Sequence, residues 1–116
     1  MRAAPYLALA ALAAGLILAQ GGAALAASTE NGRHVFMRAG CWQCHGTMGQ
    51  GGVAGPKLAP DPLPFDALST FVRATNRAMP PYREEVLSDA DLADLYAYLQ
   101  SIPKAPDPKS IRLLNW

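Results

Sequence analysis

Between Gly46 and Pro64 the chain carries five glycines (Gly46, Gly49, Gly51, Gly52 and Gly55) followed by four prolines (Pro56, Pro60, Pro62 and Pro64). Proline removes an amide donor and fixes φ, so this stretch can be neither a helix nor a central strand. A second irregular stretch runs from Asn76 to Leu87 and contains Pro80 and Pro81. Irregular segments of this length are unusual inside a compact domain unless they serve a site. The remaining sequence has room for little regular structure, and small domains with thin apolar cores commonly need a staple. Something besides side chains is expected to fill this core.

Three segments carry helical periodicity. Gly32, Val35, Phe36 and Ala39 fall at i, i+3, i+4 and i+7 on one face, with Gly40 placed as a stop. The second helix is expected from about Phe65 to Thr75, with Leu68, Phe71 and Val72 as its buried stripe. The third starts at a capping-box-like Ser88 and Asp91, carries Leu92, Leu95, Tyr96 and Leu99 as its stripe, and ends before Pro103. No alternating strand pattern and no internal repeat is present.

The first residues have a different character. Arg2 is the only charge before Glu30, and the most apolar stretch is Leu7 to Leu18. A short basic start, an apolar stretch and then Ala24-Leu25-Ala26 read as a secretory signal peptide over 1–26, cleaved after Ala26 to leave about 90 residues. Retention as a membrane anchor is the alternative, since about 20 apolar residues span a bilayer. The run is dominated by alanine and glycine and its strongly apolar part is short, which favours cleavage. Export to a bacterial periplasm follows.

The full chain holds ten basic and nine acidic residues, and loss of Arg2 leaves nine of each. So balanced a charge argues against nucleic acid and gives no basis for a polybasic membrane contact. Arg33, Arg38, Lys57, Arg73, Arg77 and Arg83 nevertheless precede a cluster of Glu84, Glu85, Asp89, Asp91 and Asp94. A dipolar surface is expected from that order.

The only two cysteines lie in Cys41-Trp42-Gln43-Cys44-His45. Two cysteines two residues apart and followed at once by histidine form the attachment signature of c-type haem. Both thiols add to the haem vinyl groups as thioethers, and the adjacent histidine reaches the iron. Other readings compete. A Cys41-Cys44 redox pair belongs beside a strand in an α/β fold, and a zinc site recruiting His45 and His34 lacks the usual spacing of a second ligand pair. A chance match is the third. Haem is the reading the motif favours, and it uses the whole cysteine count.

A sixth ligand lets the iron change oxidation state with little rearrangement, and a methionine thioether is one such ligand. Met79 is the candidate because Arg77-Ala78-Met79-Pro80-Pro81-Tyr82 is a proline-stiffened loop far enough along the chain to reach the opposite haem face. Met48 is three residues past His45, Met37 precedes the motif, and His34 lies on the helix that feeds it. Core filling is what a loop methionine does in the absence of a haem.

With these residues the chain resembles the class I cytochrome c family from about Glu30 to Ile102. The matching positions are Gly32 and Phe36, Cys41-Trp42-Gln43-Cys44-His45-Gly46, Gly55-Pro56-Lys57-Leu58, Met79-Pro80-Pro81-Tyr82 and Leu95-Tyr96-Ala97-Tyr98-Leu99. The resemblance implies an all-α cytochrome c fold, with three main helices and Gly/Pro-rich loops around one covalently bound haem c, over residues 27–103. It implies that Gly32 and Phe36 meet Leu95 and Tyr98, that the Pro56 carbonyl accepts a hydrogen bond from the His45 ring, and that His45 and Met79 hold the iron. Arg73 and Trp42 are candidates for the haem propionates.

The function implied is transfer of single electrons between redox proteins, a dehydrogenase, reductase or oxidase, and not an enzymatic reaction of its own. The chain would serve as a free shuttle or as the electron-accepting cytochrome subunit of a dehydrogenase or oxidase complex. A haem enzyme or gas sensor with an open distal site is the contrasting possibility. The tail, 104–116, carries Ile111, Leu113, Leu114 and Trp116. It is expected either to pack on its own domain or to dock on a partner.

Overall fold

Ser28 has extended backbone angles, and its hydroxyl accepts from the Asn31 amide at 3.1 Å, which starts helix α1 (Thr29–Arg38). The helix ends in a Schellman arrangement: Gly40, at φ +79°, donates to the Met37 carbonyl, and the Cys41 amide donates to the Phe36 carbonyl. Gly40 thus delivers Cys41 directly to the end of α1. A single turn, α2 (Trp42–His45), follows, and α3 (Phe65–Ala74) and α4 (Asp89–Ser101) come after the two long loops. Ser88 caps α4 by accepting from the Asp91 amide at 3.1 Å. Two 3-10 turns, Pro108–Ser110 and Arg112–Leu114, close the chain.

This computed structural model describes residues 26–115, so all but the last residue of the expected leader lies outside the described part. Among the described residues there is no strand, and three of the helices are principal ones. The fold is all-α. None of these helices is long and apolar enough to cross a membrane.

The core is built where α1 crosses α4. Gly32 sits at the contact: a Cβ there would overlap the Asp94 carbonyl and lie 2.9 Å from Tyr98 Cβ. Side-chain absence is what lets the two backbones approach. One turn on, the Phe36 and Tyr98 rings pack with centroids 5.6 Å apart and planes tilted by 56°. Val35, Leu92, Leu95 and Leu99 are buried around them. Tyr98 is therefore the aromatic that α4 commits to the core, whereas Tyr96 is half-buried and packs edge-on against Phe65.

Polar groups fasten the same crossing from outside. Asp94 accepts from the Ser28 amide at 2.6 Å and the Asn31 side chain at 2.7 Å, and Arg38 pairs with Asp91 at 3.1 Å. Arg73 pairs with Asp89 at 2.6 Å. Two of the basic residues that come early in the chain thus lie against the acidic cluster. The charge separation along the sequence is partly cancelled in space, which weakens the expected dipole.

The bond from Asn31, and then that from Ser28, hold the Asp94 carboxyl below its ordinary value of 3.8. A carboxylate whose pKa is depressed in the folded state stabilises the fold above the unfolded value and loses that contribution as pH falls through the folded one. Asp94→Asn should therefore flatten the acid side of the stability profile. Urea midpoints measured from neutral pH down into the carboxylate range would show this, and an unchanged acid slope would contradict it.

The tail makes its own local structure. Asp107 caps the first 3-10 turn, and the Asn115 side chain donates to the carbonyls of Pro108, Lys109 and Ile111. Ile111 is half-buried, but Leu113 and Leu114 are 87% and 60% exposed. The expectation that the tail packs its apolar residues on the domain is not met at these two.

Candidate haem site

The Schellman turn sets the geometry of the site. Once Cys41 is fixed at the end of α1, its carbonyl accepts from the His45 amide at 3.0 Å, and α2 carries Cys44 and His45. Both cysteines are free thiols. Burial pushes the Cys41 thiol up to about 11 against a weaker opposing backbone hydrogen bond. Nucleophilic cysteines have lowered values, the opposite direction.

His45 is buried, and its Nδ1 lies 2.8 Å from the Pro56 carbonyl oxygen. A carbonyl only accepts, so Nδ1 carries a proton, and Nε2 is left as the ring nitrogen that can serve as a ligand. The approach of the 46–64 loop to this ring depends on Gly55. A Cβ at that position would lie 2.8 Å from His45 Nδ1 and 2.9 Å from the Cys44 carbonyl oxygen. The glycine-rich half of the loop therefore wraps the imidazole, and the proline that follows supplies its acceptor.

Met79 arrives from the opposite loop and is half-buried. Its neighbour Tyr82 anchors that loop twice: the amide donates to the Val72 carbonyl at 2.9 Å and the phenol to the Ala39 carbonyl at 2.8 Å. Burial is the largest cause of a raised Tyr82 phenol pKa, and in donating to Ala39 the phenol keeps its proton.

All five candidate residues, Cys41, Cys44, His45, Pro56 and Met79, line one cavity of about 720 Å³. Cofactor pockets commonly span about 300–1,000 Å³. Apolar side chains from every principal helix contribute to the wall, among them Phe36, Leu68, Val72, Leu92 and Leu99. Of the α3 stripe expected to be buried, Leu68 is buried and Val72 partly so, whereas Phe71, which faces this cavity, is 44% exposed. Two free thiols, an imidazole whose Nδ1 is engaged by Pro56 and a thioether on one apolar cavity suit a covalently attached haem.

The competing ligands lie elsewhere. His34 pairs with Glu30 on the surface, and Met37 and Met48 are exposed and do not line the cavity. Among the described residues no group of three or more His, Cys, Asp or Glu side chains comes together to hold a metal ion, which leaves the zinc reading without a ligand set. Neither propionate candidate lines the cavity: Trp42 is at the surface, and the Arg73 guanidinium is engaged with Tyr82, Leu87 and Asp89. Arg77 and Lys57 are the cations on the cavity wall, and sequence reasoning passed over both. Arg77 was in view two residues before Met79.

An all-α chain whose Gly/Pro-rich loops bring a Cys-x-x-Cys-His turn and a methionine onto one apolar cavity has the build of a single-haem cytochrome c domain. Residues 27–99, well over half of the chain, match the family model described as cytochrome c oxidase, cbb3-type, subunit III, and the chain belongs to that family of c-type cytochrome domains. No curated protein and no solved structure matches it. Its cofactor is covalently bound haem c with its iron, and its activity is electron transfer.

Proposed function

We propose that this chain is an exported, periplasmic carrier of single electrons, with Cys41 and Cys44 tethering one haem c and with His45 and Met79 as the axial ligands of the iron. The observation that carries the reading is the placement of His45 and Met79 on the walls of one apolar cavity, with His45 Nδ1 held 2.8 Å from the Pro56 carbonyl. When bound, the haem supplies a one-electron Fe(III)/Fe(II) couple. The residues around it do the rest. Pro56 fixes the tautomer and orientation of His45 and raises its basicity as a ligand. Met79 would hold the iron through its thioether, a soft donor that favours the reduced state. With His45 and Met79 both holding the iron, no site on it would be open to a substrate, and the chain's chemistry would be the exchange of electrons with a dehydrogenase, reductase or oxidase.

A second reading has the same domain as the electron-accepting subunit of a dehydrogenase or oxidase complex. The exposed Leu113 and Leu114 favour it, and so does the oxidase subunit in the family's description. Copurification separates it from a free shuttle.

The test uses holoprotein matured in a periplasm. Its intact mass should equal one haem plus the chain beginning at Ala27. The oxidised form should show the weak near-infrared band of sulfur ligation, and the reduced form should bind carbon monoxide slowly. Retention of Met1 or Arg2 on membrane-bound material would replace export as a soluble protein with anchoring. Fast binding of carbon monoxide by the wild type would replace the closed carrier with a sensor or enzyme.

A further inference from the structure

We propose that Arg73 is the positioning residue that holds the Met79 loop shut, a role that rests on the reading of Met79 as an axial ligand. Arg73 lies one residue before the end of α3, with its side chain 22% exposed. Its Nη1 donates to the Leu87 carbonyl at 2.6 Å and to the Tyr82 carbonyl at 3.0 Å, while Nη2 donates to Asp89 at 2.6 Å. All three partners follow Met79 in the chain and Arg73 precedes it. One guanidinium therefore ties the exit of the loop to its entry.

The same neck is closed by the Tyr82 amide on the Val72 carbonyl. Inside the lobe, from 74 to 81, hydrogen bonding is sparse; the Arg77 amide reaches Thr75 Oγ1 at 3.3 Å. Proline at 80 and 81 removes two donors from the lobe. Met79 is thus kept in place by the neck rather than by bonds of its own lobe. Arginine suits this neck because its planar fork supplies several donors in fixed directions, whereas a lysine ammonium is a point charge on a flexible stem.

Carbon monoxide reaches the iron only in the fraction of molecules whose Met79 has swung away, so its binding rate reports how often the neck opens. Arg73→Gln removes charged donors from two backbone carbonyls, and reduced Arg73→Gln protein should bind carbon monoxide about tenfold faster than wild type, the factor that follows from losing ~1.4 kcal/mol of such bonding. Its near-infrared sulfur band should disappear at a lower urea concentration than its helical circular dichroism. Arg73→Lys should fall between the two. Asp89→Asn leaves both carbonyl bonds intact and removes only an exposed pairing, worth little, so it should bind at close to the wild-type rate.

Arg73→Gln that unfolds at lower urea but binds carbon monoxide at the wild-type rate while folded would reduce Arg73 to a structural residue and overturn the proposal. If Arg73→Gln does not accumulate as folded holoprotein, Arg73→Lys decides, and a wild-type rate there overturns it. Met79→Ala keeps the two readings apart. Should it fail to speed binding, the assignment of Met79 falls, whereas fast binding by Met79→Ala with unchanged Arg73 variants sinks the clamp alone.

Discussion

Replacing Met79 with alanine is expected to leave the haem attached and to open its iron. Both thioether links and His45 remain, so the cofactor stays in denaturant and under acid-acetone extraction. The thioether is gone, and water takes the sixth position. The near-infrared sulfur band should vanish, and the potential should fall because a soft ligand that favours Fe(II) has been exchanged for oxygen. Minor conformers of a folded protein usually hold about 0.1–10% of the population. If wild-type binding of carbon monoxide waits on such a conformer, its removal should speed binding by roughly 10- to 1,000-fold. Met48→Ala and His34→Ala alter residues away from the cavity and should leave the band and the rate in place. A Met79→Ala protein with unchanged band, potential and rate would mean that another residue is the ligand.

The parts of this molecule that the sequence announced are those governed by local chemistry. Gly40 and Ser88 mark helix ends because a positive φ and an N-cap oxygen are needs of a few adjacent residues. The Cys41–His45 motif carries its own spacing requirement. Pro56 was available only through resemblance to a family, since nothing within the 46–64 loop says which carbonyl meets the imidazole. The same limit applies to Arg73. As a cation in the first two thirds of the chain it was a candidate for a propionate, yet its three acceptors lie 9 to 16 residues away, across a loop whose path has no periodicity to read. The expected dipole is weakened for a related reason: Arg38 and Asp91 are 53 positions apart in the chain and 3.1 Å apart in the fold.

The α3 stripe shows where pattern and partner separate. Leu68, Phe71 and Val72 share a face, as helical spacing requires, but that face is divided: Leu68 is buried in the core and Val72 packs against it, while all three also line the cavity and Phe71 stays exposed. Periodicity identifies the apolar side of a helix and says nothing about whether protein or cofactor will cover it. The shortage of core in so small a domain was the better indicator, because it bears on total burial rather than on any one face.

Gly32→Ala should be among the most damaging single changes in this chain, although helix propensity alone argues the opposite. Alanine is favoured over glycine inside a helix by about 1 kcal/mol. At this position, however, the new Cβ would overlap the Asp94 carbonyl and sit 2.9 Å from Tyr98 Cβ, and neither atom belongs to a side-chain tip that can swing away. The helices must separate instead. That movement loosens the Phe36–Tyr98 pair and the buried Leu92 and Leu99 together. Overpacking a core typically costs about 1–3 kcal/mol, and more when backbone has to shift, so a net loss of about 3 kcal/mol is expected after the gain in propensity. Against the ~5–15 kcal/mol that holds small domains together, this is a large fraction. The displacement also reaches the site, because Phe36 lines the cavity and its carbonyl anchors Cys41. Urea denaturation of the holoprotein followed by far-ultraviolet circular dichroism should show a markedly lower midpoint, with Gly32→Val lower still. The covalently held haem should remain bound throughout, and the sulfur band should be lost at correspondingly less urea. A Gly32→Ala protein as stable as wild type would mean that the α1–α4 crossing is looser than its atoms are placed.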